Sequence, residues 1–276
     1  EGAFWDHQEQ RLYWVDIEGK KAHIYDPAKK TNITFETPSR IGTIVPKNKE
    51  EAVIALEDGI YMINTLNGEI NLLSDIESKM TYNRFNDGKC DPNGNLWIGS
   101  MHLVQSEAKA NLYKVDKKGI SEKMLDNVTI SNGIVWTKDK NTMFYIDTPT
   151  GHIRAFDFDA NNSTISNERV VVTIPESLGF GDGMAIDAED KLWVGLWNGN
   201  AVAFFEAGSG ELMRKIEVPA HNVTSCSFGG NNFETLYITT SSLDMNDEEQ
   251  QKYPLAGSLF VVKPGVKGVA GNFFGK

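Results

Sequence analysis

Six matched positions in this sequence include four polar-glycine pairs, and these hold the residues best suited to bind a cation. The positions are Glu1, Ile41, Asp87, Asn132, Asp182 and Ser225, all but Ser225 directly before a glycine. A shift of one residue would put Asn86 in the place of Asp87. Carboxylate and amide oxygens are the ligands that hard dications such as Ca²⁺, Mg²⁺ and Mn²⁺ prefer. The polar positions therefore predict a divalent metal site, provided that the fold brings them together.

The same residue pairs have a second interpretation as turns, since Asn and Asp before Gly favour tight turns. A single pair of this kind would predict no more than a turn. Recurrence at matched places of a repeat favours a binding site instead. Ionised Glu1 and Asp182 would balance one dication, whereas without it the two like charges would repel each other in a narrow channel.

A short strand rich in aromatic and β-branched residues returns along the chain at intervals of 40 to 49 residues. Its copies are LYWVD from Leu12, AVIAL from Ala52, LWIGS from Leu96, MFYID from Met143, LWVGL from Leu192 and LYITT from Leu236. Each copy is preceded by another apolar stretch and followed by a turn and a second alternating strand, which is typical of β-hairpins. Six units of about four short antiparallel strands predict an all-β, six-bladed β-propeller. A β-sandwich would also be all-β, but it gives no reason for a repeat in register.

This predicted propeller supplies the means of bringing the matched residues together. The first strand of every blade lines the central channel, so residues far apart in sequence would form one ring at its mouth. We therefore expect the metal site in the central channel and a single propeller domain over residues 1–276. Helical periodicity is nearly absent, and only SSLDMNDEEQQKY, from Ser241, could form a helical turn.

Composition and charge exclude several classes of function. The formal net charge is −11, so the surface repels phosphate on average and a nucleic acid is not expected as a partner. No apolar run approaches the roughly 18 residues of a membrane helix. The two cysteines, Cys90 and Cys226, are expected to be free buried thiols. The five histidines lack zinc-ligand spacing, no nucleophile elbow or phosphate loop occurs, and nothing marks a protein-binding face.

Five segments together resemble one family of proteins. They are EGAFWD at the start, RFNDGKCDPNGNLWIGSM from Arg84, SNGIVWT from Ser131, GDGMAIDAEDKLWVG from Gly181 and TSCSFGG from Thr224. The family is the gluconolactonase-like group, which includes regucalcin (senescence marker protein 30) and luciferin-regenerating enzyme. The similarity extends over nearly the whole chain. Members are six-bladed propellers, which agrees with the repeat found independently.

The resemblance implies specific roles for residues of the ring. A divalent cation would be held by Glu1, Asn132 and Asp182; Ca²⁺ is expected, with Mg²⁺, Mn²⁺ or Zn²⁺ as alternatives. Asn86 resembles the asparagine beside the metal, and Arg84 resembles the arginine that holds the polar groups of a sugar. Family members hydrolyse sugar lactones, and Asp182 matches their proposed general base.

Two departures from the family pattern concern the substrate loop and the start of the chain. Animal regucalcins carry a substrate-contacting glutamate on a loop at which this sequence has Val104. Glu107 could replace it only if the loop is reshaped, and the segment from His102 to Ala110 is expected to act as a lid. An N-terminal segment that usually precedes the family's glutamate is expected to be missing ahead of Glu1.

These observations predict a metal-dependent hydrolase that opens a small sugar-type lactone. The cation would polarise the lactone carbonyl, and water would attack with Asp182 accepting its proton. A metal-bound hydroxide is an alternative nucleophile, because coordination lowers the basicity of Asp182. Alternative functions are an organophosphate or other ester hydrolase, luciferin regeneration, a calcium-binding regulatory protein or a scaffold for protein partners. The expected partner is a small lactone, and the expected compartment is the cytoplasm.

Overall fold

Six antiparallel sheets make up the protein, and a computed structural model describes all of its residues, Glu1–Lys276. Sheets one to three comprise β1 (Phe4–Asp6), β2 (Arg11–Asp16), β3 (Lys21–Asp26) and β4 (Thr31–Glu36); β5 (Ile41–Pro46), β6 (Glu51–Leu56), β7 (Gly59–Asn64) and β8 (Ile70–Ser74); β9 (Asn83–Cys90), β10 (Leu96–His102), β11 (Ala110–Val115) and β12 (Ser121–Val128). Sheets four to six comprise β13 (Ser131–Trp136), β14 (Thr142–Asp147), β15 (His152–Asp159) and β16 (Thr164–Thr173); β17 (Phe180–Ile186), β18 (Leu192–Trp197), β19 (Ala201–Phe205) and β20 (Leu212–Glu217); β21 (Asn222–Gly229), β22 (Thr235–Ser241) and β23 (Phe260–Val262).

The first strands of the six sheets form a closed ring. Each of β1, β5, β9, β13, β17 and β21 contacts the first strand of the next sheet, and β21 contacts β1. The predicted six-bladed propeller is therefore confirmed. Five blades have the expected four strands, and the sixth sheet has three.

Burial explains why the second strand of each blade is so apolar. All seven residues of β10 are buried, and so are five of the six in β18. These strands pack between neighbouring blades on both faces and therefore lack the alternation of a sheet with one solvated face. The fourth strands face solvent, and β4 and β20 are mostly exposed.

A β-bulge interrupts the first strand of blades three, four and five at the matched positions. Asn132 and Gly133 together face the single residue Ile146, because the pairing passes from Ser131↔Asp147 to Ile134↔Tyr145. The equivalent residues are Asn86 and Asp87 in β9, and Asp182 and Gly183 in β17. An extra residue on one strand re-aims its side chain, and bulges are frequent beside active sites for this reason.

Glycine follows two of these bulged residues because neighbouring first strands approach closely. A Cβ atom on Gly133 would lie 2.8 Å from Asp182 O and 2.6 Å from Met184 Cβ. A Cβ on Gly183 would lie 2.5 Å from Ser225 Oγ. In these two pairs the bulge re-aims the polar side chain, and the glycine allows the neighbouring first strand to approach closely.

An aspartate and a tryptophan six residues later close the turn after the first strand in two blades. Asp91 accepts hydrogen bonds from Asn93 N at 2.8 Å and, through its other oxygen, from Trp97 Nε1 at 2.9 Å. Asp187 binds Glu189 N at 2.9 Å and Trp193 Nε1 at 3.1 Å in the same way. Each buried carboxylate therefore anchors the turn to the tryptophan core between blades.

The remaining expectations about secondary structure and cysteines are also met. The only α-helix, α1 (Asp247–Lys252), lies within the segment predicted to form a helical turn and begins with a capping box at Asn246 and Glu249. No helix has the length and apolar character needed to cross a membrane. Cys90 and Cys226 are free and buried.

Candidate functional site

A cavity of about 290 Å³ lies where the bulges of the central strands meet. Among the residues that line it are four members of the predicted ring, Glu1, Asn86, Asn132 and Asp182. Arg84, two residues before Asn86 on β9, also lines it. The five residues come from four different blades, so the ring forms only when the propeller closes.

Glu1 is fixed beside β2 by backbone hydrogen bonds. Its nitrogen donates to Val15 O at 2.8 Å, and Val15 N donates to Glu1 O at 3.0 Å. The carboxylate of Glu1 is half-buried, whereas that of Asp182 is buried, and neither takes part in an ion pair. Two carboxylates without cationic partners therefore share the same cavity.

The two asparagines of the ring are bonded to each other across adjacent blades. Asn86 Nδ2 donates to Asn132 Oδ1 at 3.1 Å and to Ser131 O at 2.8 Å. Asn132 Nδ2 donates to the hydroxyl of Thr148 at 2.7 Å. Both amides are buried. Because Asn132 Oδ1 accepts a single hydrogen bond, it retains a lone pair for a further partner.

Arg84 brings a positive charge to the edge of this cavity. Its guanidinium donates to Asn86 Oδ1 at 2.7 Å and to Phe85 O at 3.0 Å, and it forms no ion pair. Burial lowers its pKa, and the charge of Glu1 partly opposes this effect. A guanidinium with unused donors suits the oxygens of a polar or anionic substrate.

Burial and like charge raise the pKa of Asp182 well above its usual value. The desolvation of its carboxyl contributes most, followed by repulsion from Glu1 and then from Asp87. Desolvation also raises the pKa of Asp87, which the nearby ammonium of Lys89 opposes. A cation between Glu1 and Asp182 would relieve this unfavourable concentration of negative charge.

The donor set of the cavity fits a hard divalent cation. It offers the carboxylates of Glu1, Asp182 and Asp244 together with amide oxygens, and the lining has no histidine or cysteine. No cluster of three or more His, Cys, Asp or Glu side chains in metal-binding geometry occurs anywhere in the chain. Oxygen ligands with few formal charges suit Ca²⁺, Mg²⁺ or Mn²⁺ better than Zn²⁺, which usually takes nitrogen or sulfur.

Three members of the predicted ring do not line the cavity, namely Ile41, Asp87 and Ser225. Asp87 is outside the cavity because Asn86, and not Asp87, is the first residue of the bulge in β9, as Asn132 and Asp182 are in β13 and β17. This is the shift of one residue that the sequence allowed. Asp87 Oδ2 and Ser225 Oγ are buried without hydrogen-bond partners. Lys89 is also enclosed, and its ammonium donates to Met184 O.

The loop after β10 contributes a residue that the sequence did not single out. Val104 is 71% exposed, and Glu107 pairs with Lys109 at 2.6 Å on the surface, so neither lines the cavity. His102 is buried behind the loop. Gln105 does line the cavity, and its φ of 60° belongs to a turn closed by its backbone nitrogen on His102 O.

Other lining residues lie at the ends of strands or in the segments between strands, and the sequence assigned none of them to the site. They are Met101, Ile130, Thr148, Pro149, Phe180, Trp197, Asn198, Leu243 and Asp244. Only their place near the ends of successive strands could have suggested them. They add apolar side chains to a lining in which polar residues are the majority.

Comparison with known proteins connects this geometry with one family. The family model described as "SMP-30/Gluconolactonase/LRE-like region" matches residues 1–242. A Bacillus subtilis protein that carries the provisional name of a sugar lactone lactonase is 37% identical, covering 94% of this chain and 89% of its own. Regucalcin of Danio rerio is 33% identical, with 98% and 92% covered.

Two solved structures are similar over almost the entire chain. A luciferin-regenerating enzyme superposes with a TM-score of 0.93 at 32% identity, covering 99% of this chain and 94% of its own. The calcium-binding protein regucalcin from Agrobacterium tumefaciens gives a TM-score of 0.95 at 25% identity, with 99% and 92% covered. The chain belongs to the SMP-30/gluconolactonase/LRE-like family.

Proposed function

We propose that this protein is a metal-dependent lactonase that opens a small sugar-type lactone, with Glu1, Asn132 and Asp182 as ligands of one divalent cation. The observation that carries the proposal is the meeting of these three oxygen donors and Arg84 in one cavity. The lactonase name of the Bacillus subtilis relative and the family assignment support the same class of reaction. Ca²⁺ is the favoured cation because the donors are oxygens, and a similar structure is that of a calcium-binding protein.

A dication bound there would supply a Lewis acid for the lactone carbonyl. Arg84 and Asn86 lie together on β9 and would orient the oxygens of the sugar ring. The carboxylate of Asp182 would accept a proton from the attacking water. The carbon–oxygen bond of the ring would then break, and the proton would pass to the released ring oxygen, giving a hydroxy acid.

The cavity has dimensions that suit this substrate class. Its volume of about 290 Å³ is near the lower end for small-molecule pockets. The apolar walls at Phe180 and Trp197 can cover a sugar ring, while its hydroxyls reach Gln105 and Asn198. We further propose that all six blades act as one domain. That the protein acts in the cytoplasm stays a prediction.

Restoring single cations to stripped protein tests the proposal. The protein is treated with a chelator, supplied separately with Ca²⁺, Mg²⁺, Mn²⁺ or Zn²⁺, and assayed on a panel of sugar lactones. We expect activity with at least one cation, and its loss in Glu1→Gln and Asp182→Ala. Full activity of chelator-treated protein, or of Asp182→Ala with metal present, would contradict the mechanism.

A calcium-binding regulatory role is the second candidate, because relatives named regucalcin cover nearly the whole chain. Arg84 argues against a role limited to cation binding, since a positive charge beside the cation does not improve its affinity. Tight calcium binding without turnover of any lactone would favour the regulatory role. A phosphotriester in the same assay tests the alternative of an organophosphate hydrolase.

A further inference from the structure

Four consecutive hydrogen bonds connect Arg84 to the backbone beside Asp182. Arg84 donates to Asn86 Oδ1 at 2.7 Å, and Asn86 Nδ2 donates to Asn132 Oδ1 at 3.1 Å. Asn132 Nδ2 donates to Thr148 Oγ1 at 2.7 Å, and the Thr148 hydroxyl donates to Gly181 O at 2.8 Å. We call these five residues the polar chain.

The two ends of the polar chain fix the direction of every bond in it. A guanidinium can only donate and a backbone carbonyl can only accept, so each intermediate amide must receive at its oxygen and donate from its nitrogen. The direction matters for Asn132, whose oxygen, but not its nitrogen, can bind a cation. If the Asn132 amide were reversed, its NH2 group would face Glu1 and Asp182 in place of the amide oxygen, and the NH2 group cannot bind a cation.

Thr148 holds the nitrogen side of the Asn132 amide against this reversal, while the bond from Asn86 Nδ2 holds the oxygen side. Its hydroxyl is the sole hydrogen-bond acceptor of Asn132 Nδ2. Its own position is set by the backbone, since Thr148 N donates to Ile130 O at 3.1 Å and its hydroxyl donates to Gly181 O. The hydroxyl therefore joins β13, which carries Asn132, to β17, which carries Asp182.

We propose that Thr148 is a positioning residue for the cation: its hydroxyl holds the amide oxygen of Asn132 towards the carboxylates of Glu1 and Asp182. This inference rests on the proposed function, because it takes those three residues as the ligands. Hydrogen-bond partners that orient a ligand typically contribute 10- to 100-fold to metal affinity. The same turn offers a matched control in Thr150, whose hydroxyl donates to Asp147 O at 2.7 Å and lies outside the cavity.

Calorimetric titration of chelator-stripped protein with CaCl₂ tests the inference without reference to turnover. Thr148→Val keeps the shape of the side chain but removes both hydrogen bonds, and we expect the Kd for calcium to rise about 10- to 100-fold. Thr148→Ser should restore an affinity close to that of the unaltered protein, and Thr150→Val should leave it unchanged. Circular dichroism checks that each variant is folded, and Thr148→Ala replaces the valine variant if the latter does not fold.

The outcomes separate this inference from the proposed function. The unaltered protein is also titrated with Mg²⁺, Mn²⁺ and Zn²⁺, and binding of none of the four cations would overturn the metal site and the role of Thr148 with it. Calcium binding by the unaltered protein and equally tight binding by Thr148→Val would overturn the positioning role alone. The same holds if Thr148→Ser binds as weakly as Thr148→Val, because a methyl group rather than the hydroxyl would then be responsible.

Discussion

Asn86 Nδ2 lies 3.1 Å from Asn132 Oδ1, although the two residues are 46 positions apart in the sequence. They occupy equivalent bulges in adjacent blades, so the bond joins one repeat to the next at the channel. The hydrogen bond leaves one lone pair of Asn132 Oδ1 free, which is the pair that a cation would take. The candidate site thus depends on a bulge that recurs at the same place in the first strands of neighbouring blades.

The buried charge of Asp182 predicts opposite effects of its removal with and without metal. Asp182→Asn removes a carboxylate that is desolvated and repelled by Glu1 and Asp87, so we expect a more stable metal-free protein. Each kcal/mol gained would raise the Tm by about 2–4 °C. The variant should lose the stabilisation that calcium gives the unaltered protein. Thermal unfolding with chelator and with calcium measures both effects, and a metal-free Tm below that of the unaltered protein would contradict the first.

Gln105 is predicted to contact the substrate, whereas its neighbour Val104 is not. Gln105 lines the cavity and Val104 is 71% exposed. Removing one neutral hydrogen bond to a bound ligand costs about 1 kcal/mol, so Gln105→Ala should raise KM for the lactone about 3- to 10-fold. Its kcat should change less. Val104→Ala is the matched control, and steady-state kinetics in which Val104→Ala has the larger effect on KM would refute this assignment.

Glu77 is predicted to be the most sensitive carboxylate outside the cavity. Its Oε1 accepts hydrogen bonds at 2.9 Å from Ser100, Asn111 and Tyr113, and its Oε2 accepts one at 3.2 Å from Asn83.

All four donors are buried, and Glu77→Leu would leave Asn111 Nδ2 and the Tyr113 hydroxyl without an acceptor, whereas Asn83 and Ser100 keep a backbone carbonyl each. We expect a loss of about 3–5 kcal/mol in the free energy of unfolding. Glu77→Gln, which keeps the shape and one acceptor oxygen, should lose less. Urea unfolding measures both variants. A leucine variant within about 0.5 kcal/mol of the unaltered protein would show that the cluster contributes little.

His23 is predicted to make the protein less stable in mild acid. Burial lowers its pKa from 6.5 to about 4, and its ring stacks on Trp14 with centroids 3.9 Å apart. His23 Nδ1 lies 2.9 Å from Asn32 Nδ2 and 3.0 Å from Thr34 Oγ1, and it can accept from the Asn32 amide only while it carries no proton.

Between pH 6.5 and about 4 the unfolded chain binds a proton at His23 that the folded protein does not, so the free energy of unfolding falls as the pH falls through this range. His23→Gln should show a smaller fall. Urea unfolding at a series of pH values tests this. Parallel pH profiles for the two proteins would exclude His23 as the cause.

The sequence alone determined the fold and most of the candidate site. Strand periodicity and polar-glycine pairs are local signals, because the pleat and the turn depend on neighbouring residues. They sufficed to predict six blades, and the resemblance pointed to Glu1, Arg84, Asn86, Asn132 and Asp182, which meet in one cavity. Which cation and which lactone this cavity takes stay predictions.

Only the tertiary structure decided between Asn86 and Asp87, because the choice depends on where the bulge falls against the neighbouring strand. It also placed Gln105 rather than Val104 or Glu107 in the cavity, because this depends on the path of the turn that follows His102. Thr148 belongs to no sequence motif. It can bond to Asn132 because β14, which ends directly before Thr148, pairs antiparallel with β13. Such contacts join residues of different strands, so they cannot be predicted from the pattern of residues within one segment of the chain.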